Sequence, residues 1–152
     1  METGFGKILY DHPEVSGRRV GEKLVISSDT SLEFNYDRIP NNLVFKDTGS
    51  IYFNNLQSIP NGTIFENTGN LYLMHVVGVN PGVIFKNTGQ VYLLSLDSLP
   101  SGVIFEGTKD VYLKDLSLGG SGFSTKGWAL EIKGIEKIRL FNHMVQIGLF
   151  QK

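Results

Sequence analysis

Three histidines, one short acidic cluster and one glycine-rich run are the residues of this chain whose types could do chemistry. His12, His75 and His143 lie far apart, without the His-x-x-x-His spacing that sets two imidazoles on one helix face for a metal. Asp11-His12-Pro13-Glu14 offers carboxylates and an imidazole to a cation, yet a proline among charged residues is also the ordinary make-up of a solvated turn. Gly119-Gly-Ser-Gly122 lacks the lysine and following helix of a phosphate loop. Asn61-Gly-Thr63 matches a glycosylation sequon by pattern, inside what reads as a tight turn. A polysaccharide lyase on stacked strands needs carboxylates gathered on neighbouring strands to hold calcium or take a proton, whereas here they alternate with lysines. Ice binding needs wide files of paired threonines, and the repeats share a single file, at 48, 68, 88 and 108. The expectation is a chain with no enzymatic activity, no metal site and no cofactor.

Composition narrows the partners. The 152 residues carry 14 Lys and Arg against 15 Asp and Glu, a net charge of −1. Such a balance removes the long-range field that nucleic acid or an anionic membrane calls for. The absence of cysteine removes disulfides, thiolate nucleophiles and Cys-based zinc sites together. No apolar run reaches the roughly 18 residues of a membrane span, and the N-terminus has no apolar signal-peptide core. The expected location is the cytoplasm. Eighteen glycines exceed the usual share of about 7% and point to many tight turns.

Those turns belong to repeats. Asn42-Leu-Val-Phe-Lys-Asp-Thr-Gly-Ser-Ile-Tyr-Phe53 recurs 20 residues later as Gly62-Thr-Ile-Phe-Glu-Asn-Thr-Gly-Asn-Leu-Tyr-Leu73. It recurs again as Gly82-Val-Ile-Phe-Lys-Asn-Thr-Gly-Gln-Val-Tyr-Leu93 and as Gly102-Val-Ile-Phe-Glu-Gly-Thr-Lys-Asp-Val-Tyr-Leu113. Residues 24–40 read as a degenerate first copy and residues 130–138 as half of a sixth. Each copy holds two short strands of β-branched and aromatic residues, separated by a Phe-x-Asn-Thr-Gly turn and a Pro-Asn-Gly turn. Gly49, Gly69 and Gly89 are the residues expected to supply positive φ at the first of these turns. Twenty residues cannot bury their own apolar face, so copies must stack. They are also too few for the two helices of a helical repeat. The expected fold is an all-β, right-handed solenoid of about six rungs with a short C-terminal capping helix, a leucine-rich-repeat horseshoe being the alternative. The expected organisation is one domain over residues 1–152: an N-terminal cap at 1–23, the array at 24–138 and a C-terminal cap at 139–152.

Stacking turns each repeat position into a ladder at a strand spacing of roughly 4.8 Å. Phe45, Phe65, Phe85 and Phe105 alternate with charged residues and face inward. Lys46, Glu66, Lys86 and Glu106 then alternate in sign outside, which fixes register by about 0.2–1 kcal/mol per pair. Thr48, Thr68, Thr88 and Thr108 stack at the turn and bond the local backbone. Two more outward files follow from the same alternation: Tyr52, Tyr72, Tyr92 and Tyr112, and Val44, Ile64, Ile84 and Ile104. Both are candidate partner-binding residues, since tyrosine anchors interfaces and large apolar stripes seldom stay bare. The ends read as caps. Phe5, Ile8, Leu9 and Tyr10 are placed to cover the first rung, while Ile138, Leu140, Phe141, Met144, Val145 and Ile147 recur at helical spacing.

The pattern Leu/Ile-Pro-x-Gly-x-Ile/Val-Phe-x-Asn-x-Gly-x-Val-Tyr-Leu-x-x-Leu, over residues 24–118, resembles repeat arrays of roughly 20 residues in uncharacterised proteins of tailed phages and some bacteria, described at times as leucine-rich-repeat-like. The closing Arg139-Leu-Phe-Asn-His-Met144…Gly148-Leu-Phe150 is similar to the ending of several of them. A weaker similarity, through Leu96-x-x-Leu99-Pro100, is to the leucine-rich repeats of bacterial effectors. Those carry an asparagine after the strand, where this chain has Asn54-Asn55, Met74-His75, Leu94-Ser95 and Lys114-Asp115. The phage resemblance implies a protein-binding solenoid, acting in the host cytosol as an inhibitor of a host defence protein. The other reading is a structural module of a virion or cell surface. The partner expected is a protein or a second copy of the chain, with no nucleic acid and no membrane.

Overall fold

The computed structural model describes residues 4–96, 103–113, 131–133, 137–140 and 143–146. After a seven-residue helix, α1 (Phe5–Asp11), the described chain is almost all short strands. The first is β1 (Ser16–Val20), followed by β2 (Lys23–Ser27), β3 (Leu32–Phe34), β4 (Leu43–Lys46), β5 (Ile51–Phe53) and β6 (Ser58–Ile59). Next come β7 (Ile64–Glu66), β8 (Leu71–Tyr72), β9 (Gly78–Val79), β10 (Ile84–Lys86) and β11 (Val91–Leu93). The last are β12 (Ile104–Glu106), β13 (Asp110–Leu113), β14 (Glu131–Lys133), β15 (Lys137–Leu140) and β16 (His143–Gln146).

Stacked parallel coils, about four turns of a β-solenoid, form the body. A first sheet orders its strands β1-β2-β4-β7-β10-β12-β14, a second β16-β15-β13-β11-β8-β5-β3, and β6 pairs with β9 on a third side. Equivalent residues of successive copies are register partners: Phe65 opposes Phe45 and Phe85, and Tyr92 opposes Tyr72 and Tyr112. The core lies between the sheets. Phe45, Phe65, Phe85 and Phe105 stack with centroids 5.1, 5.2 and 4.8 Å apart and rings within 10° of parallel, each almost wholly buried. Phe34 and Phe53 form a second stack at 5.3 Å, and Phe53 meets Phe45 and Phe65 edge-on.

The turns use the repeat differently from the expectation. Positive φ falls on Asp47, Asn67, Asn87 and Gly107, and not on the glycines two positions later. Asn and Asp tolerate the left-handed region because their side chains bond nearby groups. Here Asn67 Nδ2 donates to Asp47 Oδ1 of the turn below at 3.2 Å. Gly69 is needed for room: a Cβ there would sit 2.7 Å from Ser50 N and 3.0 Å from Gly49 C of the preceding coil. Thr48, Thr68 and Thr88 each donate to the carbonyl of the following glycine at 2.8–3.0 Å, and Thr88 and Thr108 hydroxyls meet at 3.1 Å.

Both ends of the array turn antiparallel. Ile8 of α1 is buried in the core while Tyr10 stays exposed, so one face of this short helix plugs the N-terminal end. β1 pairs antiparallel with β2, with the Arg19 guanidinium 4.7 Å from the Phe5 ring centroid. At the other end the helix expected over 138–147 is not formed by its described residues. Leu140 pairs with His143 and Ile138 with Val145 in an antiparallel hairpin of β15 and β16. Residues 141–142 and 147–152 lie outside the described residues, as does the Gly119–Gly122 run. A strand there extends the second sheet, Ile138 pairing in register with Val111, and edge pairing outweighs a short apolar run whose period is ambiguous.

Gly69→Ala is expected to cost about 2 kcal/mol or more in urea unfolding, because backbone lies in the way. Asn67→Gly, at a position that already has φ of 55°, should stay within about 1 kcal/mol of the parent.

Candidate functional site

The outward positions of the two large sheets differ. On the first sheet Val44 is buried, at 6% exposure, which corrects the expectation that the whole Val44, Ile64, Ile84 and Ile104 file faces solvent. Ile64, Ile84 and Ile104 are half-buried. Beside them Lys46, Glu66, Lys86 and Glu106 alternate in register, and Lys133 continues the alternation opposite Glu106. No ion pair closes among those first four; Lys7 pairs with Asp11 and His12 with Glu14 in the N-terminal segment.

On the second sheet Tyr52, Tyr72, Tyr92 and Tyr112 form one continuous stack. Ring centroids are 4.5, 5.0 and 4.6 Å apart and the planes lie within 7° of parallel. Parallel in-register strands force this spacing, because the ring repeats with the strand. Tyr52 is 41% exposed and the others are half-buried, mostly against one another. The ring faces are therefore spent on neighbours, and the edges and hydroxyls are what the surface presents. The polar file two residues earlier steadies the hydroxyls. Asn70 Nδ2 donates to the Tyr72 hydroxyl at 3.2 Å, Tyr92 donates to Gln90 Oε1 at 2.7 Å, and Gln90 Nε2 donates to the Tyr112 hydroxyl at 3.4 Å. These amide bonds were not anticipated; the signal was present in the i−2 position, Ser50, Asn70, Gln90 and Asp110, which is polar in every copy.

Among the described residues, those with catalytic potential do not converge. His75 is exposed on the surface. His12 packs edge-on to Phe34 at 4.6 Å and bonds Glu14 at 3.3 Å, while Asp11 accepts a 2.6 Å bond from the Tyr36 hydroxyl. The Asp11-His12-Pro13-Glu14 cluster thus clasps the N-terminal segment to the first coil. Among the described residues no group of three or more potential ligands surrounds a metal position. Thr63 of the sequon is fully buried and its hydroxyl donates to Pro60 O at 2.9 Å. No family model matches the chain, and no curated protein and no solved structure does either.

Two phenols are shifted. Burial first, then the adjacent Tyr112 and Tyr72 phenols and Asp110, push Tyr92 above the ordinary 10.0. Tyr36 is pushed up further, by burial and then by its bond to the Asp11 carboxylate. The unfolded chain gives up these protons first, so their contribution to stability is intact below pH of about 10 and is lost as pH rises through the folded values. The urea midpoint should fall above that pH, and Tyr36→Phe should make the fall shallower.

Proposed function

We propose that this chain is a non-enzymatic protein-binding solenoid whose contact surface is the tyrosine ladder of the second sheet. The observation that carries this reading is the stack itself: four rings held at 4.5–5.0 Å, with the hydroxyls of Tyr72, Tyr92 and Tyr112 bonded to neighbouring amides. Each side chain has little freedom left to lose, so a partner docks at low ordering cost. Tyrosine supplies both apolar edge and hydroxyl, the combination that anchors interfaces. A spacer in a virion or surface layer needs rigidity alone, and an outward aromatic stripe adds nothing to that role. The resemblance to phage repeat arrays favours a host protein as the partner and the host cytosol as the place. In this reading the array is right-handed, as parallel crossovers almost always are, and extends to six rungs with β2/β3 first and β14/β15 last.

Capture from lysate followed by direct binding tests the proposal. A protein bound by the parent and lost by Tyr72→Glu, with the circular dichroism spectrum unchanged, is the expected result. Retention by that variant, or recovery of no partner, removes the ladder from the role. The isoleucine file is tested separately with Ile64→Lys combined with Ile84→Glu. Because these residues are half-buried under no described element, the variant is expected to fold and to elute at the size of the parent. A shift from dimer to monomer would reassign the interface to that file.

A further inference from the structure

We infer that the free edge of β1 receives an extended acidic segment of a partner protein as an added, antiparallel strand. This surface lies at the end of the first sheet and does not depend on the tyrosine ladder. β1 is the terminal strand of that sheet, so its far edge has no neighbouring strand. The groups on that edge follow from the hydrogen bonds of β2. Leu24 N donates to Asn42 O at 3.1 Å, toward the coil of β4. Main-chain direction alternates along a strand, so Lys23, Val25 and Ser27 turn to β1 and bond their partners Val20, Arg18 and Ser16. Gly17 and Arg19, opposite Ile26 and Leu24, therefore aim their N–H and C=O groups outward. Among the described residues no main-chain bond meets them there. Two donors and two acceptors thus stand in line, as strand addition requires.

The strand is held ready for pairing. Edges are commonly blunted by a proline or a bulge, and β1 has neither: its five residues pair with β2 without a break, and all five are exposed. α1 supports it from the inner face, where a Cβ on Gly17 would meet the Leu9 side chain and the Arg19 guanidinium lies 4.7 Å from the Phe5 ring centroid. Charge and register then select the occupant. Arg18 and Arg19 are exposed, and no carboxylate among the described residues pairs with either. An added strand sets a carboxylate directly opposite each, a favourable cross-strand pair. Val20, 49% exposed on the same face as Arg18, offers apolar contact beside them. A second copy is disfavoured. Antiparallel pairing centred on Arg18 sets Arg18 against its own copy, and centring on Arg19 does the same with Arg19. The remaining register, centred on Gly17, needs the Val15 amide, which already donates to His12 O at 3.1 Å.

The probe is the capped peptide Val-Glu-Glu-Tyr-Thr, which in antiparallel register sets its Val against Val20, its two Glu against Arg19 and Arg18, and its Thr against Ser16. Amide NMR of the full chain is the readout. Without peptide, the Gly17 and Arg19 amides should exchange with solvent faster than those of Arg18 and Val20. Saturating peptide should shift and protect Gly17 and Arg19. N-methylation of the peptide's second and fourth residues, whose N–H groups face β1, should abolish binding, while N-methylation of the third should leave it. Arg18→Glu should weaken binding by about tenfold, and a peptide with Lys at the third position should recover it on that variant. Tyr72→Glu should change nothing, which separates this surface from the ladder. Protection of Gly17 and Arg19 that grows with protein concentration alone would overturn the acidic segment in favour of a second copy. Binding indifferent to N-methylation, or to Arg18→Glu, overturns strand addition at this edge.

Discussion

Every ladder in this molecule exists because identical positions of successive copies meet at one strand spacing. Parallel pairing in strict register brings phenylalanine over phenylalanine inside and tyrosine over tyrosine outside. Neither stack has a separate cause. A 20-residue coil buries almost nothing alone, so the apolar gain comes from neighbours and each rung depends on the next. The inner rings supply that burial. The outer rings are brought into contact by the same register, without a core of their own.

From β4 to β12, keeping the register demands turns that close within the same 20 residues at each step. The left-handed positions at Asp47, Asn67, Asn87 and Gly107 change the chain direction, and Gly49, Gly69 and Gly89 allow adjacent coils to approach. At Gly49, Gly69 and Gly89 a Cβ would meet the backbone of the preceding coil, whereas the fourth copy carries Lys109 at this position. A polar residue at the first position gives a small ladder of its own, as the Asn67–Asp47 bond shows.

Much of this could be read from residue types. The period, the inward phenylalanines, the stacked threonines and the outward tyrosines follow from alternation counted against a 20-residue repeat. Four things did not. Asn-Thr-Gly contains two residues that tolerate positive φ, and only the approach of the neighbouring coil decides which one adopts it. Val44 shares its file with half-buried isoleucines, yet it is covered, because exposure depends on where a rung sits in the stack. At the C-terminal end Ile138, Leu140, Met144 and Val145 suit a helix and a hairpin alike, and the open edge of a sheet favours the strand. The hydrogen bonds that tilt the tyrosines required side-chain geometry, since Asn70 and Gln90 differ in length and bond different hydroxyls.

Near-identical repeats carry a hazard of their own: a folding chain can skip one copy, loop it out, and still match every aromatic ladder. The alternating file of Lys46, Glu66, Lys86 and Glu106 distinguishes that error from the native stack. Correct neighbours have opposite sign. With one copy looped out, Lys46 would face Lys86, or Glu66 would face Glu106, and like charges at one strand spacing repel. Open pairs too long to form bridges still act as such a parity check, because proofreading needs only a difference between the right and wrong partner. The file then serves fidelity of assembly more than the stability of the finished coil.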